Sequence, residues 1–204
     1  MNAIKTLLAS VLAAGALYGT AQAGNIEVMS TEKGATIDAK VAGSIVGDLG
    51  LFMRNRLSVD YQNDNAVGSF TVIDATYPIG AGFDIVTEGQ LAPGAPLDTR
   101  IGVQCFRALG DATVYALAKR SLQNPNTEIV VKGKYTPTIT GDFKGLLQWE
   151  SLLNMGDDAT NFAIQRVRAG ADYKGTEAGL AVDAFRPGDA ETEYSIGGFV
   201  STSF

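Results

Sequence analysis

From Gly24 onward, apolar and polar side chains alternate along most of the chain. Ile37, Ala39, Val41, Gly43 and Ile45 alternate with Asp38, Lys40, Ala42 and Ser44. Leu51, Met53, Leu57, Val59 and Tyr61 alternate with Arg54, Arg56, Ser58 and Asp60. Ile129, Val131, Gly133, Tyr135 and Ile139 alternate with Val130, Lys132, Lys134, Thr136 and Thr138. Successive side chains of a β-strand point to opposite sides, so a period of two predicts strands with one apolar and one polar face. Helical spacing of apolar residues is scarce.

Two kinds of connection separate these segments, and they alternate. Short Gly or Asp turns fall at residues 47–50, 80–82, 110–111, 141–142 and 175–179. Looser polar connections fall at 31–34, 62–67, 91–97, 122–128, 154–161 and 187–192. Five tight turns interleaved with six looser ones predict twelve strands, or ten if residues 26–30 stay outside the wall. Both chain ends then lie on the tight-turn side. An even-stranded meander with unequal ends is the layout of an up-and-down antiparallel transmembrane β-barrel, and the predicted class is all-β.

The charges decide between that barrel and a lipocalin-like soluble one, whose apolar face points inward. By strand phase, the apolar faces carry charge only near their ends, at Arg107, Lys119 and Arg186. The polar faces carry the basic residues Arg54, Arg56, Arg100, Arg120, Lys132, Lys134, Lys144, Arg166 and Arg168. They also carry the acidic residues Asp60, Asp74, Asp84, Glu88 and Asp183. Packing these into a dry core is prohibitive unless every one is paired. An Arg or Lys facing lipid at mid-bilayer costs about 2–4 kcal/mol, so a lipid-facing exterior must be cleared of them. A lipid-facing outside and a wet lumen account for both faces.

Aromatic residues fit the same frame. Outward Tyr77, Phe83, Tyr115, Phe143, Tyr173 and Phe204 gather near the tight turns, and Tyr61, Trp149 and Tyr194 near the loops. Amphipathic rings concentrate at the two membrane interfaces. Phe52, Phe70, Phe106, Phe185 and Phe199 fall on the charged face, which implies apolar patches in the lumen or a local slip of register.

Composition narrows the chemistry. The chain has 204 residues, 46% hydrophobic, with a formal charge of -6, which argues against nucleic acid as a partner. It has His 0, which excludes Ser-His-Asp and Cys-His catalysis and His-ligated zinc. A single cysteine, Cys105, excludes an internal disulfide, and its phase turns it toward lipid. Residues 1–23 place Lys5 before an apolar run from Leu7 to Leu17 and then Ala21-Gln22-Ala23. That is the order of a secretory signal peptide cleaved after Ala23, and the run is too short to span a bilayer as a helix. The barrel domain is then residues 24–204.

At the C-terminus, Tyr194, Ile196, Gly198, Val200, Thr202 and Phe204 alternate up to a terminal aromatic. This resembles the C-terminal assembly signal of Gram-negative outer-membrane β-barrel proteins. The resemblance implies insertion into outer-membrane lipid by the barrel-assembly machinery, acting on Tyr194, Ile196, Val200 and Phe204. In size and strand number the chain is similar to the small monomeric twelve-stranded porins for acidic oligosaccharides.

In a meander each strand pairs with its sequence neighbours, so the lumen charges can be placed around the wall. Residues 98–172 carry Arg100, Arg120, Lys132, Lys134, Lys144, Arg166 and Arg168 against Asp98, Glu150 and Asp172. The rest of the wall carries Glu27, Asp38, Asp60, Asp74, Asp84, Glu88, Asp183 and Glu193 against Lys40, Arg54 and Arg56. The expectation is a basic wall facing an acidic one across a water-filled pore, with a backbone radius of roughly 12 Å. That describes a passive channel for small hydrophilic or charged solutes. The alternative is a filled barrel with a structural or surface-recognition role. An enzyme would need a pair such as Asp84 and Glu88 as general acid and base; solvated lumen charge is the simpler reading, and neither catalysis nor a cofactor is expected. The run from Asn154 to Asp158 lacks the full Asp-x-Asp-x-Asp-Gly spacing of a cation loop, so no metal is expected there.

Overall fold

A computed structural model describes residues 21–63, 66–157 and 159–204. The expected signal peptide lies outside the described residues except for Ala21–Ala23, which begin the first strand with an irregular register. The elements are β1 (Ala21–Thr31), β2 (Gly34–Val46), β3 (Leu49–Asp60), β4 (Ala66–Gly80), β5 (Phe83–Leu91) and β6 (Asp98–Leu109). They continue with β7 (Ala112–Ser121), β8 (Thr127–Tyr135), β9 (Thr138–Thr140), β10 (Phe143–Met155), β11 (Thr160–Tyr173), β12 (Thr176–Pro187) and β13 (Glu193–Ser203). No residue among those described is helical.

Each strand pairs antiparallel with its neighbours, and β13 pairs with β1, so the sheet closes on itself. β8 and β9 are two pieces of one wall strand, since both pair with β10. The break falls at Thr136 and Pro137, where proline has no N–H to give to a ladder. The Pro137 carbonyl still accepts from the Gly145 N–H at 2.8 Å. The wall therefore has twelve strands. The ten-stranded alternative is excluded, because residues 26–30 pair with β13 on one side and β2 on the other.

The five tight turns are each two residues long; four fall within the expected segments, and the fifth lies at Lys174–Gly175 because residues 176–179, expected in the turn, already belong to β12. In the turn between β11 and β12, Lys174 and Gly175 both have positive φ (53° and 83°), the backbone of a type I′ hairpin turn whose twist matches that of the strands. The connections at the other end are also short, the longest being residues 92–97. Apart from β9, the strands are long enough to cross a bilayer at a tilt, which takes about 9–11 residues.

A closed single-layer wall can bury a charged side chain only on its inside. Asp38, Asp74, Glu88, Arg100, Lys119, Glu128, Arg168 and Glu177 are all buried, which fixes the inner face of each strand they occupy. The other face exposes Ile73, Ile85, Ile101, Val103, Leu147, Val167, Leu180 and Val200. Outward polar side chains satisfy each other within the wall. Asn55 donates to Thr71 at 2.9 Å, Trp149 Nε1 donates to Gln165 at 3.2 Å, and Gln165 donates to Ser151 at 2.6 Å. Such pairing is what hydrocarbon demands of polar groups it surrounds.

Tyr77, Phe83, Phe143, Tyr173 and Phe204 are exposed on the outer face near the tight turns. Tyr115 is a correction. β7 has the opposite phase to that expected, so Tyr115 points inward and its hydroxyl donates to Gln104 Oε1 at 3.1 Å. Trp149 lies at mid-strand rather than at a loop end. Of the phenylalanines on the charged face, Phe199 marks a real apolar patch, buried with Leu146, Ala181 and Met29, whereas Phe106 and Phe185 are exposed.

Candidate functional site: a charged lumen around a cavity

On β2 and β3, one carboxylate gathers three cations. Asp38 is 1% exposed. Its oxygens accept from Arg54 Nε at 2.8 Å, Arg54 Nη2 at 2.5 Å and Arg56 Nη2 at 2.8 Å, with Lys40 Nζ at 3.5 Å. The register causes this grouping, because Asp38 lies opposite Arg56 and Lys40 opposite Arg54. Inward positions two apart on adjacent strands are within reach of long side chains.

A second group is spread over β8 to β12. Glu150 accepts from Lys132 Nζ at 2.8 Å and Arg166 Nη1 at 2.7 Å, and Arg166 Nε donates to Asp183 at 3.2 Å. Two ion pairs of this group reach beyond the neighbouring strand. Arg168 on β11 reaches Glu27 on β1 at 2.9 Å, with its guanidinium over the Phe199 ring. Lys134 on β8 pairs with Glu177 on β12, which also accepts from Gln148 at 2.9 Å.

Between the two groups lies a cavity of about 240 Å³. Lys40, Arg54 and Arg56 line it on one side, and Lys132, Lys134, Arg166 and Arg168 on the other. Only Glu27, Asp38 and Glu150 line it with negative charge. The Nε of Arg56 and that of Arg168 are buried with no protein partner. A second cavity of about 280 Å³ opens at the loop end, lined in part by Lys33, Asp60, Asp183 and Glu193.

The β4–β8 side is packed instead. Lys119 bridges Glu88 and Glu128, the latter at 2.8 Å, and Arg100 bridges Glu128 at 3.0 Å and Asp98 at 2.8 Å. Asp74 lies opposite Glu88, buried, with Oδ1 lacking a partner. Beside this network, Val86, Leu117 and Val130 form a buried cluster with Tyr115 and Leu152.

Most residues singled out from the sequence lie on the inner face: Arg54, Arg56, Arg100, Lys132, Lys134, Arg166, Arg168, Asp74, Asp84, Glu88 and Asp183 alternate with outward apolar positions. Lys144 lies opposite Asp172 beside the tight turns, and Asp60 ends β3 at the loop side. Arg120 is a correction. It lies on the outer face and pairs at 3.6 Å with Asp157, both side chains more than 60% exposed. Its neighbour Lys119, expected outward, is the buried cation of the packed side.

The sequence reading also passed over Glu128 and Glu177, which it left in connections. Each shares parity with a charged inward residue on its own strand, Lys132 and Asp183, and that was the available signal. The expected division into one basic and one acidic wall is not what surrounds the cavity between β2–β3 and β8–β11, where cations stand on both sides. Asp84 and Glu88 do not form an acid–base pair, because Asp84 accepts from Gln104 at 2.9 Å while Glu88 is taken by Lys119 and Gln90. No cluster arranged to hold a metal occurs among the described residues. Asn154 is buried and accepts from Asn161 at 2.8 Å. Cys105 is a free thiol.

Comparison of the folds places this barrel. A KdgM porin superposes with a TM-score of 0.53 at 14% identity, over 89% of this chain and 99% of that one. A NanC porin superposes with a TM-score of 0.56 at 12% identity, over 88% and 98%. The chain has the fold of the small outer-membrane porins. LpxR from Salmonella typhimurium is also similar, with a TM-score of 0.50 at 8% identity over 89% and 99%. No protein-family model matches the sequence, and no curated protein matches it.

Proposed function

We propose that the chain is a passive outer-membrane channel for small hydrophilic solutes and that it favours anions. The observation that carries this is the cation-lined cavity, where seven cations meet three carboxylates and two guanidinium Nε–H groups have no protein acceptor. Such a lumen lowers the energy of a carboxylate or phosphate relative to a cation, and planar guanidinium forks bind those groups bidentately. A KdgM porin of the same fold is solved in complex with disordered oligogalacturonate, which supports a saccharide-sized solute.

The paired charges tune the field without cancelling it. Asp38 and Glu150 hold Arg54, Arg56, Lys132 and Arg166 in place, while the excess positive charge remains for the solute. The packed β4–β8 side narrows the path and pushes it toward β1–β3 and β10–β12. With no histidine and no paired general acid and base, the reading includes no catalytic step. The C-terminal strand, with Tyr194, Ile196, Val200 and Phe204 exposed outward, is the surface offered to the assembly machinery.

The test is single-channel conductance of the refolded chain in a planar bilayer across a salt gradient. Discrete steps with an anion-selective reversal potential are expected. Silence from protein shown to be folded and inserted would favour the second reading, a non-conducting structural barrel. The ion-paired interior and the Val86–Leu117–Val130 cluster favour that reading.

A further inference from the structure

The connections at the loop end divide by side of the barrel. On the β5–β8 side, residues 91–97 (Leu-Ala-Pro-Gly-Ala-Pro-Leu) and 121–127 (Ser-Leu-Gln-Asn-Pro-Asn-Thr) contain no charge. Around β1, β2, β12 and β13 the connections carry Glu32, Lys33, Asp189 and Glu191, with Glu193 just inside β13.

The uncharged connections are laced into one edge. The Thr99 N–H donates to Gln123 Oε1 at 2.9 Å, and the Leu122 N–H donates to the Thr99 carbonyl at 2.8 Å. That edge exposes three leucines: Leu91 at 45%, Leu97 at 53% and Leu122 at 65%. Leu97 does not cover the lumen. Its Cδ1 rests against the outer face of the wall, 3.4 Å from where a methyl on Gly89 would lie. Gly89 is an outward position in register with Leu91, Ile85 and Phe83, so the leucine continues the lipid-facing surface beyond the end of the strand. An uncharged segment with exposed leucines, continuous with a hydrocarbon-facing wall, gains by entering lipid because its apolar surface leaves water, while the outward Arg120 beside Leu122 stays at the interface, paired with Asp157 at 3.6 Å.

We propose that the β5–β6 and β7–β8 connections are a lipid-inserted edge, so that the barrel sits deeper in the outer leaflet on this side than on the charged side. The partner is the acyl-chain and headgroup boundary of the bilayer. This rests on the reading of the chain as a membrane barrel but not on its conducting anything.

The test is depth measurement on the refolded chain in phosphatidylcholine vesicles, in a Cys105→Ser background. A nitroxide is placed in turn at Leu97→Cys, Leu122→Cys, Val103→Cys on the wall, and Asp189→Cys on the charged side. Collision with oxygen reports lipid, and collision with a water-soluble nickel chelate reports solvent. Labels at positions 97 and 122 are expected to lose nickel accessibility as the wall label does, while the label at 189 keeps it. Nickel accessibility at 97 and 122 equal to that at 189 would overturn the proposal and leave those leucines as a surface for a protein partner. Nickel accessibility at Val103 as well would overturn the membrane reading with it.

Discussion

Gly24 and Phe204 exchange both backbone hydrogen bonds, at 2.8 and 3.0 Å, and the Phe204 ring occupies the space a Gly24 side chain would fill. A methyl at Gly24 would come within 2.3 Å of Phe204 Cε2. This contact ends the seam between β1 and β13 that closes the barrel. It gives a physical role to a glycine that sequence pattern marks only as the residue after a cleavage site.

Gly24→Val should therefore weaken closure. The clash is with the far end of an exposed side chain, so the Phe204 ring must swing away from the wall to relieve it and the seam loses that contact. Refolding into detergent micelles, followed by the heat-dependent shift of the folded band on gels, should show a lower folded fraction. Phe204→Ala in the same background should recover part of the loss, and no recovery would separate the two residues.

Asp38→Asn removes the carboxylate that Arg54, Arg56 and Lys40 share. Breaking a buried ion pair by deleting one partner costs about 3–5 kcal/mol, and the adjoining cavity of about 240 Å³, roomy enough for water, places this site at the low end of that range. The urea midpoint of unfolding should fall, while channels that do form should be more anion-selective. A midpoint unchanged from the parent protein would sink the assignment.

Lys119 and Arg120 offer a sharp contrast between adjacent residues. Lys119→Ala leaves Glu88 and Glu128 buried together without their shared cation and should destabilise the barrel strongly. Arg120→Ala removes an exposed pair worth about 0–1 kcal/mol and should be almost silent. Equal effects in urea unfolding would return β7 to the opposite phase.

Lys132→Glu combined with Lys134→Glu reverses two of the cations lining the cation-rich cavity. The reversal potential under a salt gradient should move toward cation selectivity, and an unchanged value would remove these lysines from the conduction path.

The β7 case shows why part of this molecule was legible in sequence and part was not. In β2, β3 and β8 one parity holds nearly all the charge, so inner and outer faces follow from the residues alone. In β7 the two parities are nearly balanced: Val114, Ala116, Ala118 and Arg120 against Tyr115, Leu117, Lys119 and Ser121. Each is mostly apolar with one basic residue near its end. Only the neighbouring strands, which present Gln104, Glu88 and Glu128 to Tyr115 and Lys119, decide the face.

By itself the sequence left twelve strands or ten for the structure to decide, but it determined strand order, the positions of most tight turns and the side on which most charges stand. These depend on local chemistry: alternation with period two, turn residues, and pairing between sequence neighbours. Tertiary structure alone decided which charges meet inside the barrel. The pairs Arg168–Glu27 and Lys134–Glu177 join strands that are not neighbours, and their contact depends on the curvature of the closed wall and the reach of the side chains. The same curvature places cations on both sides of one cavity and consumes the carboxylates of β4–β8 in a packed network. A linear chain carries no record of which arc of a ring will face which.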